Sequence, residues 1–280
     1  MRLPFRQVDV FGDEPFSGNP VAVVLEAGEV DTDTMRRISV WSNLSECTFI
    51  VPVKDPAADY RVRIFSLTAE LPFAGHPTLG TARAWLAAGG IPKRAGVVTQ
   101  ECGAGLVPIR IDGDSLAFAA PPRTRSGPVA PGYLADVIDV LGVDPDRVVD
   151  AEWLDNGPGW VGVLLDSAEA VLDLVPDASR RPGQWDIGVI GPATPGSDHR
   201  FEVRAFFTDG GGALREDPVT GSLNAAAAQW LLATGRADAP YTAHQGTALR
   251  RHGRIRITRD GGHIWVGGRT YVTVTGTIDV

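Results

Sequence analysis

Four polar side chains stand in stretches that are otherwise apolar or glycine-rich. Glu46 opens the strand ECTFIVPV, His76 lies between Gly75 and Pro77, and Asp217 and Ser222 flank the turn of EDPVTGS. A glutamate serves as acid and base in turn only if its pKa lies near the working pH. An apolar setting against Phe49 and Ile50 would raise it in that direction; the competing reading of Glu46 is a solvated strand end. His76 falls at the expected mouth of a helix, whose dipole disfavours the protonated ring, so a neutral imidazole could donate or accept at a reacting centre. Its plainer role is to cap its own loop. Pro218 pushes Asp217 toward an extended backbone and holds its carboxylate in the loop. Ser222 reads either as a helix N-cap or as a hydrogen-bond partner for a substrate. Gly75 and Gly221 would let a ligand approach the first, unpaired amides of two helices, or they simply turn the chain.

Two similar sets of elements would position these groups. In the first half a strand, RVRIF, and a polar loop lead to GHPTLGTARAWL. In the second, VRAFF and a glycine-rich loop, TDGGGALREDPVTG, lead to SLNAAAAQWL. Each half therefore sets a glycine, a small polar residue and an Ala-rich helix ending in Trp-Leu after a strand and loop, which suggests two similar domains. Strands are expected over residues 3–11, 46–53 and 58–66 and again within 96–119, with a helix from Asp31 or Thr32 to about Ser42. PPRTRSGPVAPG, residues 121–132, has two Pro-rich clusters and no apolar periodicity and is the expected linker. A domain over 1–120 and another over 133–264 follow, with a last strand at about 265–280 as a candidate to complete the first.

The composition limits the partners. With 280 residues, a net charge of −8 and a pI near 5.1, the chain advertises no basic face for nucleic acid or anionic membrane. A small molecule is the expected partner. Two cysteines, Cys47 and Cys102, are too few and too far apart for a disulfide framework or a paired zinc site, which fits a reducing cytoplasm. The N-terminus lacks the apolar segment of a signal peptide, and no run reaches the roughly 20 apolar residues of a membrane span.

Other catalytic templates are absent. There is no GxSxG, no HExxH and no phosphate loop, and Gly210 to Gly212 lack the lysine and hydroxyl that such a loop needs. A metal set of His76, Glu216, Asp217 and His244 has no pair at helical ligand spacing, so neither metal nor cofactor is expected.

The segments QVDVF, SGNPVAVV, NLSECTFIV, ELPFAGHPTLGTA, VRAFF, EDPVTGSLNAA and the terminal VGG with GTI resemble the PhzF-like family, named for a phenazine-biosynthesis isomerase and related in fold to diaminopimelate epimerase. The resemblance implies an α+β fold of two epimerase-like domains, each a curled sheet around a central helix, with the active site in the cleft between them. It implies a cofactor-independent isomerase that shifts a proton on a small carboxylate-bearing substrate, acting as a homodimer. Glu46 then matches the family's general acid/base; His76 and Asp217 match catalytic or relay positions, and Gly75, Gly221 and Ser222 substrate-binding ones. Related epimerases place a cysteine at each helix mouth, where this chain has Ala74 and Thr220, so thiol-based racemisation is not expected. The chain departs from the family in QGTALRRHGR, which keeps Gln245, Gly246 and Arg251 but loses the Met-Gly and Pro-Ser of the usual Q-G-x-x-M-G-R-P-S. Two alternatives stay open: a non-catalytic small-anion binder on the same fold, or an epimerase of an amino-acid-like substrate.

Overall fold

Period-two patterning in the first half of the chain closes into a barrel. The computed structural model describes residues 1–280 and divides into two units, Met1–Ala119 with Trp265–Val280, and Ala120–Ile264. In the first, β1 (Arg2–Val10), β2 (Asn19–Val24), β3 (Glu46–Val51), β4 (Tyr60–Ser66), β6 (Val97–Cys102), β7 (Gly105–Asp112) and β8 (Ser115–Ala119) pair in that order, and the two-residue β5 (Glu70–Leu71) attaches to β4. The chain's last strand, β16 (His263–Asp279), closes the ring. Its Trp265–Arg269 stretch pairs with β8, and Thr270–Asp279 pairs with β1, so neither edge is left open.

A helix buried on every side must be apolar or small all round. α2 (Gly75–Ala87) meets that condition: Gly75 through Ala82 are all buried, and it packs against β1, β2, β3, β6 and β8. Its few polar groups are matched by partners on the strands. Thr81 donates to the Thr48 hydroxyl at 2.8 Å, Gln100 donates to the Thr78 hydroxyl at 2.9 Å, and Tyr60 donates to Gln100 at 2.9 Å. Close approach needs Gly80, where an added Cβ would lie 2.2 Å from Val21 Cγ1. Gly80→Ala gains about 1 kcal/mol of helix propensity but overpacks the barrel, which costs about 1–3 kcal/mol. The expected net result is a lower urea midpoint at unchanged m-value; a higher midpoint would show that α2 has room to shift.

Outside the barrel, α1 (Thr32–Ser42) lies over Ala22, Val24, Cys47, Phe49 and Phe65 through Met35 and Ile38. Cys47 therefore points outward beneath α1, and its alternating neighbours Glu46 and Thr48 point inward toward α2. Burial pushes the Cys47 thiol up. It is a core residue, with its Sγ 3.1 Å from the Ser42 hydroxyl.

In the second unit, β9 (Val148–Trp153), β10 (Val161–Leu165), β11 (Asp186–Pro192), β12 (Phe201–Thr208), β14 (Tyr241–Gln245) and β15 (Gly253–Asp260) pair in that order, and β13 (Leu214–Asp217) adds to β12. Val161, Val163, Leu165, Ile187, Val189 and Phe206 face a cluster with Val137, Val140 and Leu141 of α3 (Pro131–Leu141) and Val171 of α4 (Ala168–Leu172). The residues between them face α5 (Gly221–Ala233), whose Leu223 lies against Gly188 and whose Trp230 lies near Gly162. α5 is Ala-rich and buried from Gly221 to Ala228, so it too lies within its unit. The fold is α+β, and no helix in it is long and apolar enough to cross a membrane.

The Pro-rich segment 121–132, expected as a linker, is tied into this second unit. The amides of Thr124 and Trp153 donate to the carbonyls of Asp155 and Gly127, Gln229 donates to the Pro121 carbonyl, and α3 begins at Pro131. Proline suppresses apolar periodicity without preventing such bridges, since carbonyls still accept.

Candidate active site

Glu46 owes its place to a helix stop. Asn43 ends α1 in the left-handed conformation, at φ 55°, that Asn tolerates better than most residues. Three residues later β3 begins with Glu46, on the inward face. Its Oε2 lies 3.4 Å from His76 Nε2, and its side chain is 17% exposed, so it is both oriented and open. The distance is at the long edge of hydrogen-bonding reach.

His76 is the second residue of α2, and its ring orientation is fixed from behind. Asn19 Nδ2 donates to His76 Nδ1 at 3.3 Å, which leaves the ring proton on Nε2, the nitrogen 3.4 Å from Glu46 Oε2. Asn19 follows a tight loop in which both Asp9 carboxylate oxygens accept from the Gly18 amide, at 3.1 and 3.0 Å. A Cβ on Gly18 would sit 2.2 Å from the Val10 carbonyl oxygen, so the loop requires glycine there. Burial lowers the His76 pKa to about 3. The direction is the one expected of a helix mouth, but desolvation is the cause. A neutral imidazole donating from Nε2 can orient the carboxylate without neutralising it.

Ala74, the N-cap of α2, gives no side-chain bond to the first turn, and Pro77 has no N–H. The Gly75 and His76 amides therefore form the positive end of α2. The second unit repeats this feature. Thr220 is the N-cap of α5 and likewise makes no side-chain cap, so Gly221 and Ser222 occupy the first two helical positions. The N-cap reading of Ser222 is thereby corrected: the cap falls two residues earlier, and the Ser222 hydroxyl accepts from Trp160 Nε1 at 3.1 Å. Asn156 Nδ2 donates to the Ser222 carbonyl at 2.9 Å.

Asp217 ends β13 opposite Ala205, on the α5 side of the sheet. Its Oδ2 accepts from the Thr220 hydroxyl at 2.6 Å. Gln245, fully buried, ties the turn together: its Oε1 accepts from the Thr220 amide at 3.0 Å and from Asn224 Nδ2 at 2.9 Å, and its Nε2 donates to the Asp217 carbonyl and the Thr220 hydroxyl. Glu216, one residue earlier, faces the other way and accepts from Arg204 at 3.0 and 2.8 Å. His244 faces Glu202. The second unit therefore does not gather Glu216, Asp217 and His244 into one metal set.

Asn19, Thr220, Gln245 and Trp160 were not among the candidate catalytic or binding residues. The first three lie in SGNPVAVV, EDPVTGS and QGTALRRHGR, where small residues around a polar one were the available signal. Trp160 has none.

The chain's likeness to known proteins follows the same segments. Residues 8–278 match the family model for phenazine biosynthesis-like proteins, PhzC-PhzF. The chain belongs to this family. It is 32% identical to antisense-enhancing sequence 1 of Schizosaccharomyces pombe, with 97% of each chain covered. It is also 32% identical to the trans-2,3-dihydro-3-hydroxyanthranilate isomerase of Pseudomonas fluorescens, over 89% of this chain and 81% of that one. The crystal structure of the Bacillus anthracis PhzF-family phenazine biosynthesis protein superposes over both whole chains with a TM-score of 0.82 at 20% identity, which shows the shared fold. As a PhzF-family protein the chain is an isomerase.

Proposed function

We propose that this PhzF-family isomerase shifts a proton within a small, carboxylate-bearing, conjugated substrate, with Glu46 as the proton carrier. The observation that carries the reading is the partly open Glu46 carboxylate held 3.4 Å from Nε2 of a buried, neutral His76. Glu46 takes a proton from an activated carbon, and the bonding pair moves into the conjugated system. The resulting carboxylic acid then protonates another carbon of that system, so the reaction is redox-neutral and Glu46 is regenerated.

The amides of Gly75 and His76 are proposed to stabilise the negative charge that develops in the first step, since an oriented helix end needs no reorganisation as charge forms. In the second unit the amides of Gly221 and Ser222 are assigned to a substrate carboxylate. Asp217 is assigned to substrate orientation and proton relay, with its position held by Thr220 and Gln245. The substrate class follows the name of the Pseudomonas fluorescens relative, so trans-2,3-dihydro-3-hydroxyanthranilate leads the panel to be tested.

The test is incubation in D2O with that compound and a set of small unsaturated carboxylates, followed by mass spectrometry and NMR. A shifted isomer or deuterium on the substrate carbon skeleton is expected from the native protein and from neither substrate alone nor Glu46→Gln. The same product formed by Glu46→Gln at the native rate would sink the assignment.

A further inference from the structure

On the face of β12 and β14 turned away from α5, a second cluster of ligating side chains has no part in the proposed proton shift. His244 neighbours Gln245 in β14, so the two side chains point to opposite faces, and Glu202 of β12 stands in register with His244. The Glu202 carboxylate is buried among imidazoles. Its Oε2 lies 2.8 Å from His244 Nδ1 and 3.6 Å from His199 Nε2, and one ligand atom from each of the three residues falls within 4.8 Å of the others. No arginine or lysine is within ion-pairing distance of Glu202, whereas Glu216 on the same sheet face is matched by Arg204.

We propose that His199, Glu202 and His244 form a binding site for a divalent transition-metal ion of the zinc class. Two imidazole nitrogens and a carboxylate oxygen suit that ion, and tetrahedral bonds of about 2.0–2.1 Å place ligand atoms roughly 3.3 Å apart, between the two separations above. Supporting groups are already in place. Asp198 Oδ1 lies 2.8 Å from His199 Nδ1, which fixes the tautomer that offers Nε2, and Arg254 Nη2 donates to Asp198 Oδ2 at 2.7 Å. Thr247 donates to Glu202 Oε1 at 2.7 Å, which leaves Oε2 for the ion. Metal would take the place of the contact between His244 Nδ1 and Glu202 Oε2, with the neutral ring of His244 carrying its proton on Nε2.

The test is titration of chelator-treated, folded protein with Co2+, read by visible d–d absorption, followed by displacement with Zn2+. One equivalent should bind with a tetrahedral spectrum. His199→Gln, on a partly exposed side chain, and Glu202→Gln should each weaken binding by about a hundredfold or more, and Asp198→Asn by about tenfold. Zn2+ should raise the melting temperature of the native protein and leave that of His199→Gln unchanged. Absence of saturable binding to the native protein, or binding unaltered in His199→Gln and Glu202→Gln, would overturn the proposal.

Discussion

Glu46→Gln is expected to lower turnover by about 10²–10⁴-fold, the range for loss of a general acid/base, while substrate affinity changes little. Glutamine keeps the shape and can still face His76 Nε2, 3.4 Å from the native carboxylate, but it can neither take nor return a proton. The remaining amides of the α2 mouth would still attract an anionic ligand. Kinetics and calorimetry on the same preparation separate the two effects. A drop in kcat with an unchanged Kd supports Glu46 as the proton carrier. Loss of both in a folded variant would place Glu46 in binding instead, and an unchanged kcat would remove it from the mechanism.

The second large effect concerns acid stability. His76 is held near a pKa of about 3, against 6.5 in an unfolded chain, because burial penalises the charged ring. The unfolded state therefore binds a proton before the folded state does. Stability is unaffected by this group above pH 6.5, falls as the pH drops through the window from 6.5 to about 3, and levels off below it. With 1.36 kcal/mol per pH unit, the full loss across that window is about 5 kcal/mol.

His76→Gln removes the ionisation. The variant is expected to be less stable than the native protein at pH 7, because the contacts with Asn19 and Glu46 are altered, and the difference should narrow steadily toward pH 4. Urea unfolding at pH 7, 5.5 and 4 measures it. A constant difference would mean that the folded protein accommodates the charged ring. With the His76 pKa lowered to about 3, an ionisation near neutral pH in a pH–rate profile is expected to belong to another group.

Much of the candidate site was legible along the chain because its signals are local. A glycine before a small polar residue and an Ala-rich run marks a helix start, and both α2 and α5 begin at those glycines, Gly75 and Gly221. Asp217 before Pro218 is held at a strand end, as the restriction on residues before proline requires. The inward direction of Glu46 and the outward direction of Cys47 follow from strand alternation once the strand is placed. Alternation alone, however, does not say which face is inside. That was settled by α1 covering Cys47 and Phe49.

Ser222 shows where local reasoning fails. A serine before an Ala-rich helix is a good N-cap by propensity, but the backbone enters α5 at Thr220, and the buried Trp160 takes the hydroxyl. The Pro-rich segment 121–132 had the composition of a linker, yet its carbonyls found partners 26 or more residues away.

The sequence by itself determined the two echoing halves, the family, and the residue types at both helix mouths, because backbone restrictions, strand period and helix starts act over a few residues. Only the tertiary structure decided that Glu46 meets His76, that Asn19 sets the tautomer of that ring, and that Gln245 braces Asp217. It alone brought His199 and Glu202 to His244, more than 40 residues further along. Such contacts depend on strand register and barrel closure, which bring distant residues together through the pairing of whole strands. No short stretch of the chain encodes that pairing.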